Sequence, residues 1–238
     1  MEEKTSGIVI SSVNYGESDK IVNVLTPDKG VVSAKMKSVK KAGAKLRFAS
    51  EPFCFSEYVF SIGKVGRTVI GASLIDSFYP VRLDVKKLYA GSAVLSFAKK
   101  FCQENIDSSE IFIYALDALK GMAYGDKSEI TYLTAFLCKA LADSGYALDV
   151  DGCHECGCDI DGAVYFDYRT GGFYCEKCNG GKGRLVLKST LDALKNANLG
   201  IDSQKENAVK GLKLLDYYME NRADVVISPL KELIKIYT

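Results

Sequence analysis

The chain has 238 residues, with 31 Lys and Arg against 30 Asp and Glu, a net charge near +1 and 47% apolar residues, which is ordinary globular composition. That excludes a disordered, collagen-like or coiled-coil chain, and the longest charge-free stretch, 5–16, has 12 residues where a membrane-spanning helix needs about 20. Met1-Glu2-Glu3-Lys4 lacks the basic-then-apolar order of a signal peptide, which predicts a cytoplasmic protein, and there eight cysteines point to a metal or to reduced core thiols rather than disulfides.

The first 80 residues predict strands. Ile8–Ile10, Ile21–Leu25, Val31–Ala34, Phe53–Phe60 and Thr68–Ile75 are short β-branched or aromatic runs. Turn residues part them at Asn14-Tyr15-Gly16, Thr26–Gly30 and Gly63–Gly66. Five short strands at regular spacing predict a small barrel of the OB-fold class, whose usual work is binding oligonucleotides. After Pro80 the period changes. Leu88, Gly91, Leu95, Ala98 and Cys102 mark one amphipathic helix, Phe112, Leu116 and Leu119 a second, and Ile130, Leu133, Leu137 and Leu141 a third, ending near Gly145. Cysteines and glycines interrupt this pattern over 151–182. Helical spacing returns at Ala208, Leu212, Leu215 and Met219, and Ser228-Pro229 reads as an N-cap and first turn of a last helix running to Tyr237. The expected architecture is α+β and multidomain: an N-terminal OB-fold barrel over 1–80, a helical domain over 81–150 and 183–238, and a four-cysteine zinc ribbon inserted at 151–182.

Cys153, Cys156, Cys175 and Cys178 form C-x2-C-x18-C-x2-C, a zinc-ribbon spacing. Each C-x-x-C turn brings two thiolates to one ion, and two turns complete a tetrahedron with Zn–S near 2.3 Å. Gly157 after the first pair and Asn179-Gly180-Gly181 after the second supply residues that tolerate positive φ. Ala163–Tyr168 and Phe173-Tyr174 predict a hairpin around Arg169–Gly172. Four sulfurs close the coordination sphere, so the expectation is one structural Zn2+, its surplus negative charge offset by Lys177, Lys182 and Arg184. Cys158 offers a competing ligand, but 153/156 mirrors 175/178. His154, the only histidine, lies inside a knuckle that already has two sulfurs and reads as a surface residue. Cys54, Cys102 and Cys138 sit in apolar surroundings and read as small buried hydrophobes.

Between residues 35 and 47 stand Lys35, Lys37, Lys40, Lys41, Lys45 and Arg47 with no acid among them. The first 80 residues hold 11 basic and 8 acidic groups, so near-neutral total charge conceals a local cationic site. Such a segment beside a barrel can neutralise phosphates and release counterions, with Tyr15, Phe53, Phe55, Tyr58 and Phe60 as stacking or core aromatics. Enzymatic readings are weak. Gly181-Lys182 is followed by Gly183, so there is no phosphate-binding G-x-x-x-x-G-K-[ST], and no G-x-G-x-x-G follows a strand. The acids Asp149, Asp151, Asp159 and Asp161 flank the ribbon and read as turn residues rather than nuclease ligands.

Three local patterns resemble the bacterial RecO family of DNA repair proteins: Gly7-Ile8-Val9 with Tyr15-Gly16-Glu17-Ser18-Asp19-Lys20, Leu25-Thr26 and Gly30; Ala34-Lys35 with the basic run; and the ribbon within a helical half. Ser38 stands where that family commonly has glycine, and Ala44 where it commonly has serine. The resemblance implies a non-enzymatic recombination mediator, cytoplasmic and associated with the nucleoid. It implies binding to single- and double-stranded DNA, annealing of complementary strands, and help in loading the recombinase RecA onto DNA coated by single-strand binding protein. The partners it implies are RecR and the acidic tail of the single-strand binding protein. The competing reading of the residues is a zinc-ribbon scaffold or transcription-type factor that uses the barrel for protein contacts.

Overall fold

The computed structural model describes residues 1–238. Five strands, β1 (Glu2–Tyr15), β2 (Asp19–Thr26), β3 (Gly30–Met36), β4 (Phe55–Gly63) and β5 (Gly66–Asp76), close into a barrel in the order β1-β2-β3-β5-β4. β1 serves two neighbours: its first half pairs with β4 and its second with β2, and a bulge between Val9 and Ser11 turns the corner. A short parallel pairing, Ala34 with Arg67 and Lys35 with Thr68, closes the ring. This is the five-stranded, OB-like barrel expected from the strand spacing. The close approach of β1 and β2 depends on Gly7, where a Cβ would stand 2.3 Å from Val24 Cγ1.

The barrel has its own interior of 12 buried residues, among them Val9, Val24, Met36, Val39, Tyr58 and Phe60. A second core of 44 residues is formed by the helices, the ribbon and one outer face of the barrel, to which Ile8, Ile10, Leu25, Phe53 and Phe55 contribute. The barrel is therefore seated on the helices rather than tethered to them. The turn between β2 and β3 docks into the chain after the second helix: Asn105 N–H donates to Lys29 O at 3.0 Å and Ser108 N–H to Pro27 O at 2.8 Å.

The helical part comprises α1 (Tyr79–Leu83), α2 (Val85–Phe101), α3 (Ser109–Tyr124), α4 (Glu129–Asp143), a single turn α5 (Glu176–Asn179), α6 (Lys188–Asn198), α7 (Lys205–Arg222) and α8 (Ser228–Ile236). The four periodic helices appear where their apolar spacing places them. Asp84 caps α2, accepting from the backbone N–H groups of Lys86 and Lys87. α1 and α6 escape the periodicity argument. Pro80 opens α1 instead of ending structure, because the first turn needs no amide from it. The apolar set of α6 is short: Leu191, Ala193, Leu194 and Ala197. The N-cap expected at Ser228 is in fact Ile227, and Ser228 is already helical and makes no capping bond. None of the helices is long and apolar enough to cross a membrane.

Candidate metal centre and nucleic-acid interface

The ribbon is a three-stranded sheet, β6 (Val164–Asp167), β7 (Gly172–Cys175) and β8 (Arg184–Val186), in the order β7-β6-β8. The predicted hairpin is β6 and β7, its turn held by Arg169, whose guanidinium grips the buried Asp167 carboxylate at 2.9 Å. The first knuckle closes through Cys153 N–H to Cys158 O at 2.8 Å and Gly157 N–H to Cys153 O at 2.7 Å, and His154 N–H pins it to Phe173 O on β7. The second knuckle begins at the end of β7 and runs through α5. Gly157, Gly180 and Gly181 all take positive φ, as the knuckle turns require.

These elements bring Cys153, Cys156, Cys175 and Cys178 together, with every Sγ within 4.8 Å of the others. A tetrahedral Zn2+ at its usual Zn–S distance has sulfur edges of about 3.8 Å, so the set fits such an ion. The donor chemistry fits as well. Burial pushes the Cys153 thiol up, but backbone amides of Cys175, Cys156 and Glu155 aimed at the sulfur outweigh it and bring the thiol down to about 6. Cys175 N–H reaches Cys153 Sγ at 3.4 Å. Cys158 lies outside this set, its Sγ 3.3 Å from Cys156 Sγ. The hydrogen bond to Cys156 pushes the Cys158 thiol up to about 12.

His154 is exposed and bonds Asp149 Oδ2 through Nδ1 at 3.0 Å, with its ring edge against Tyr174. Of the expected counter-charges, Lys182 and Arg184 take other partners. Lys182 binds Glu155 at 2.6 Å, and Arg184 lies over the Tyr217 ring. Asp151, Asp159 and Asp161 are exposed, and only the four cysteines gather as a group able to hold a metal. Cys54, Cys102 and Cys138 are buried, and loss of solvent raises all three thiols.

The basic segment starts in β3 at Lys35 and continues as a loop over the barrel's end. Val39 and Ala49 insert into the barrel interior, and Tyr58 O–H donates to Ala49 O at 3.0 Å. Lys40 N–H bonds Ser18 O at 3.0 Å, so the loop is also laced to the β1–β2 turn. Lys37, Lys40, Lys41, Lys45 and Arg47 are all exposed, whereas Lys35 differs from them. Its ammonium pairs with Asp19 at 2.9 Å and lies over the Tyr15 ring at 4.6 Å. The aromatics divide sharply. Phe53, Phe55, Tyr58 and Phe60 are buried in the two cores, and only Tyr15, 51% exposed, presents a face to a ligand.

Residues 1–78 match the family model described as recombination protein O, N terminal, and residues 82–225 match its C-terminal counterpart. The chain belongs to the RecO family. It is 32% identical over 205 residues to the DNA repair protein RecO of Acetivibrio thermocellus, which covers 86% of this chain and 81% of that one. The DNA repair protein RecO of Exiguobacterium is 28% identical over 195 residues, 82% of this chain and 77% of its own. That of Rubrobacter xylanophilus is 32% identical over 178 residues, 74% and 71% of the two chains. The RecO-like pattern at 15–20 has a visible purpose here. Asp19 accepts Ser38 N–H at 2.8 Å and the Lys35 ammonium, and these hold its carboxyl below the usual carboxylate range. Lys20 binds Glu51 at 2.8 Å. The start of β2 thus fastens both ends of the basic loop, a link that sequence spacing alone does not reveal.

Proposed function

We propose that this RecO-family chain is a recombination mediator without catalytic activity. It binds single- and double-stranded DNA along the loop of Lys35, Lys37, Lys40, Lys41, Lys45 and Arg47, and anneals complementary strands. With RecR it helps load RecA onto DNA coated by single-strand binding protein, in the cytoplasm at the nucleoid. The observation that carries this reading is the row of five exposed cations on a loop seated over a closed barrel. Cationic side chains carried on a short loop with an anchored backbone meet phosphates without the cost of ordering that backbone, and their contacts are indifferent to base sequence. DNA binding is assigned to 1–80. Partner contacts fall to the helical part, 81–150 and 183–238. The insert at 151–182 is stabilised by one structural Zn2+ on Cys153, Cys156, Cys175 and Cys178.

A groove of about 710 Å3 between β8 and α7 supports the partner assignment. Its floor is Leu185, Leu214 and Tyr217, and Arg184, Lys210 and Lys213 rim it. A basic rim beside apolar side chains suits the acidic tail of the single-strand binding protein. The test is strand annealing on DNA coated with the cognate single-strand binding protein, with metal content measured on the same sample. Annealing faster than the strands achieve without the chain is expected. A chain that leaves the rate unchanged and binds single strands with no salt dependence is a scaffold instead.

A further inference from the structure

We propose that Cys156 and Cys158 are a peroxide-reactive pair whose oxidation to a disulfide releases the ribbon's metal. This rests on the metal reading above and adds a modification site to it. Of the eight cysteines, these two alone are exposed: Cys54, Cys102, Cys138 and Cys153 are buried, and Cys175 and Cys178 half-buried. Their sulfurs already touch at 3.3 Å. Gly157 between them, at φ +69°, bends the chain between the two cysteines. One sulfur belongs to the four-sulfur set and the other does not. A fifth thiol in contact with one ligand is superfluous to a closed tetrahedral site, and its position is that of a resolving cysteine.

The chemistry balances with one peroxide. The Cys156 thiolate attacks the peroxide oxygen, the O–O bond breaks, and Cys156 sulfenic acid and hydroxide result. The Cys158 thiol then attacks the sulfenic sulfur, the S–O bond breaks, and water leaves as the S–S bond forms. Two sulfurs are oxidised by one electron each and the peroxide is reduced by two. The ion then has three protein sulfurs in place of four. The pair is also tied to the rest of the knuckle, because Cys158 O is the acceptor for Cys153 N–H.

The test uses the purified full chain, assayed for zinc before oxidant is added. Hydrogen peroxide is titrated in while a chromophoric chelator reports released zinc, and the disulfide is located by peptide mass spectrometry. The parent chain is expected to release about one equivalent, to show a 156–158 disulfide, and to recover zinc binding after thiol reduction. Cys158→Ser is expected to start with full zinc, to release it at least fivefold more slowly, and not to recover. Equal release by Cys158→Ser, or a disulfide joining any other pair, overturns the proposal. Cys158→Ala serves as a second variant, and loss of zinc from both before oxidant shows Cys158 to be a ligand and overturns it as well. A parent chain with no zinc at the start overturns the metal reading instead, and the disulfide map then still decides whether 156 and 158 pair.

Discussion

Ser38 has a φ of +57°, a conformation that costs an L-residue with a side chain about 1–2 kcal/mol. Its amide is fixed there by the Asp19 carboxylate, so the loop's path and not the serine sets the angle. Ser38→Gly keeps that backbone bond and removes the strain. Less the entropy a glycine gains in the unfolded chain, the gain is about 0.5–1 kcal/mol, or a melting temperature higher by about 1–4 °C. A lower melting temperature would show that the serine side chain contributes more than its backbone costs. Gly30 is the opposite case. It sits at φ +59°, and a Cβ there would stand 2.0 Å from Gln103 O, an immovable backbone atom of the docking loop. Gly30→Ala is expected to cost about 2–4 kcal/mol, strain and displacement together, and to lower the melting temperature by roughly 4–15 °C. Gly30 stands in the RecO-like pattern read from sequence, and Ser38 is one of its departures, a serine where that family commonly has glycine. What the sequence withholds is the partner: nothing in the order of residues says that Gly30 meets Gln103 or that Ser38 hangs on Asp19.

At the scale of elements, the basic loop yields the sharpest expectation. Lys40 and Lys41 are exposed and Lys35 is paired with Asp19, so their substitutions should differ. Each single-strand phosphate neutralised adds about −0.7 to the slope of log K against log salt. Lys40→Ala with Lys41→Ala should flatten the slope by about 1–1.5 and weaken binding alike for all base sequences. Lys35→Ala should change it less, because its charge is already met. A double variant with parental slope and affinity makes the loop a solvated cap and moves the DNA path elsewhere. The charge run, the five strands and the long helices are legible because each is a local pattern. The aromatic assignment is not. Phe53, Phe55, Tyr58 and Phe60 occupy one run in sequence, yet the first two face the helices and the last two the barrel interior. α6 escapes for a related reason, since four small or apolar residues over Lys188–Asn198 suffice when α4 and α7 supply the rest of the contact.

For the whole molecule, the two cores decide how damage spreads. Val164, Phe166 and Phe173 of the ribbon lie in the same buried cluster as α2, α4 and α7, and Phe166 meets Tyr218 edge-on at 5.8 Å. The barrel interior is a separate cluster. An insert as short as 151–182 has little room for a core of its own, which by itself would leave only the ribbon dependent on the metal. The structure gives it a share in the helical core, so loss of the metal should loosen more than the ribbon. Stripping zinc with a chelator under reducing conditions should cost about 2.7 kcal/mol, the linkage for free zinc at about 100 times its Kd, and lower the melting temperature by about 5–11 °C. Hydrogen exchange read peptide by peptide locates the damage. Faster exchange is expected over 150–187 and along α7, where Tyr218 loses its ring partner, while the amides of β1–β5 that face the barrel interior keep their protection. DNA affinity and salt slope should then survive metal removal, because the basic loop hangs on Asp19, Glu51 and the barrel and not on the ribbon. Exchange that rises equally in barrel and ribbon would mean that the two cores melt as one, and that metal loss reaches the DNA loop through the whole fold.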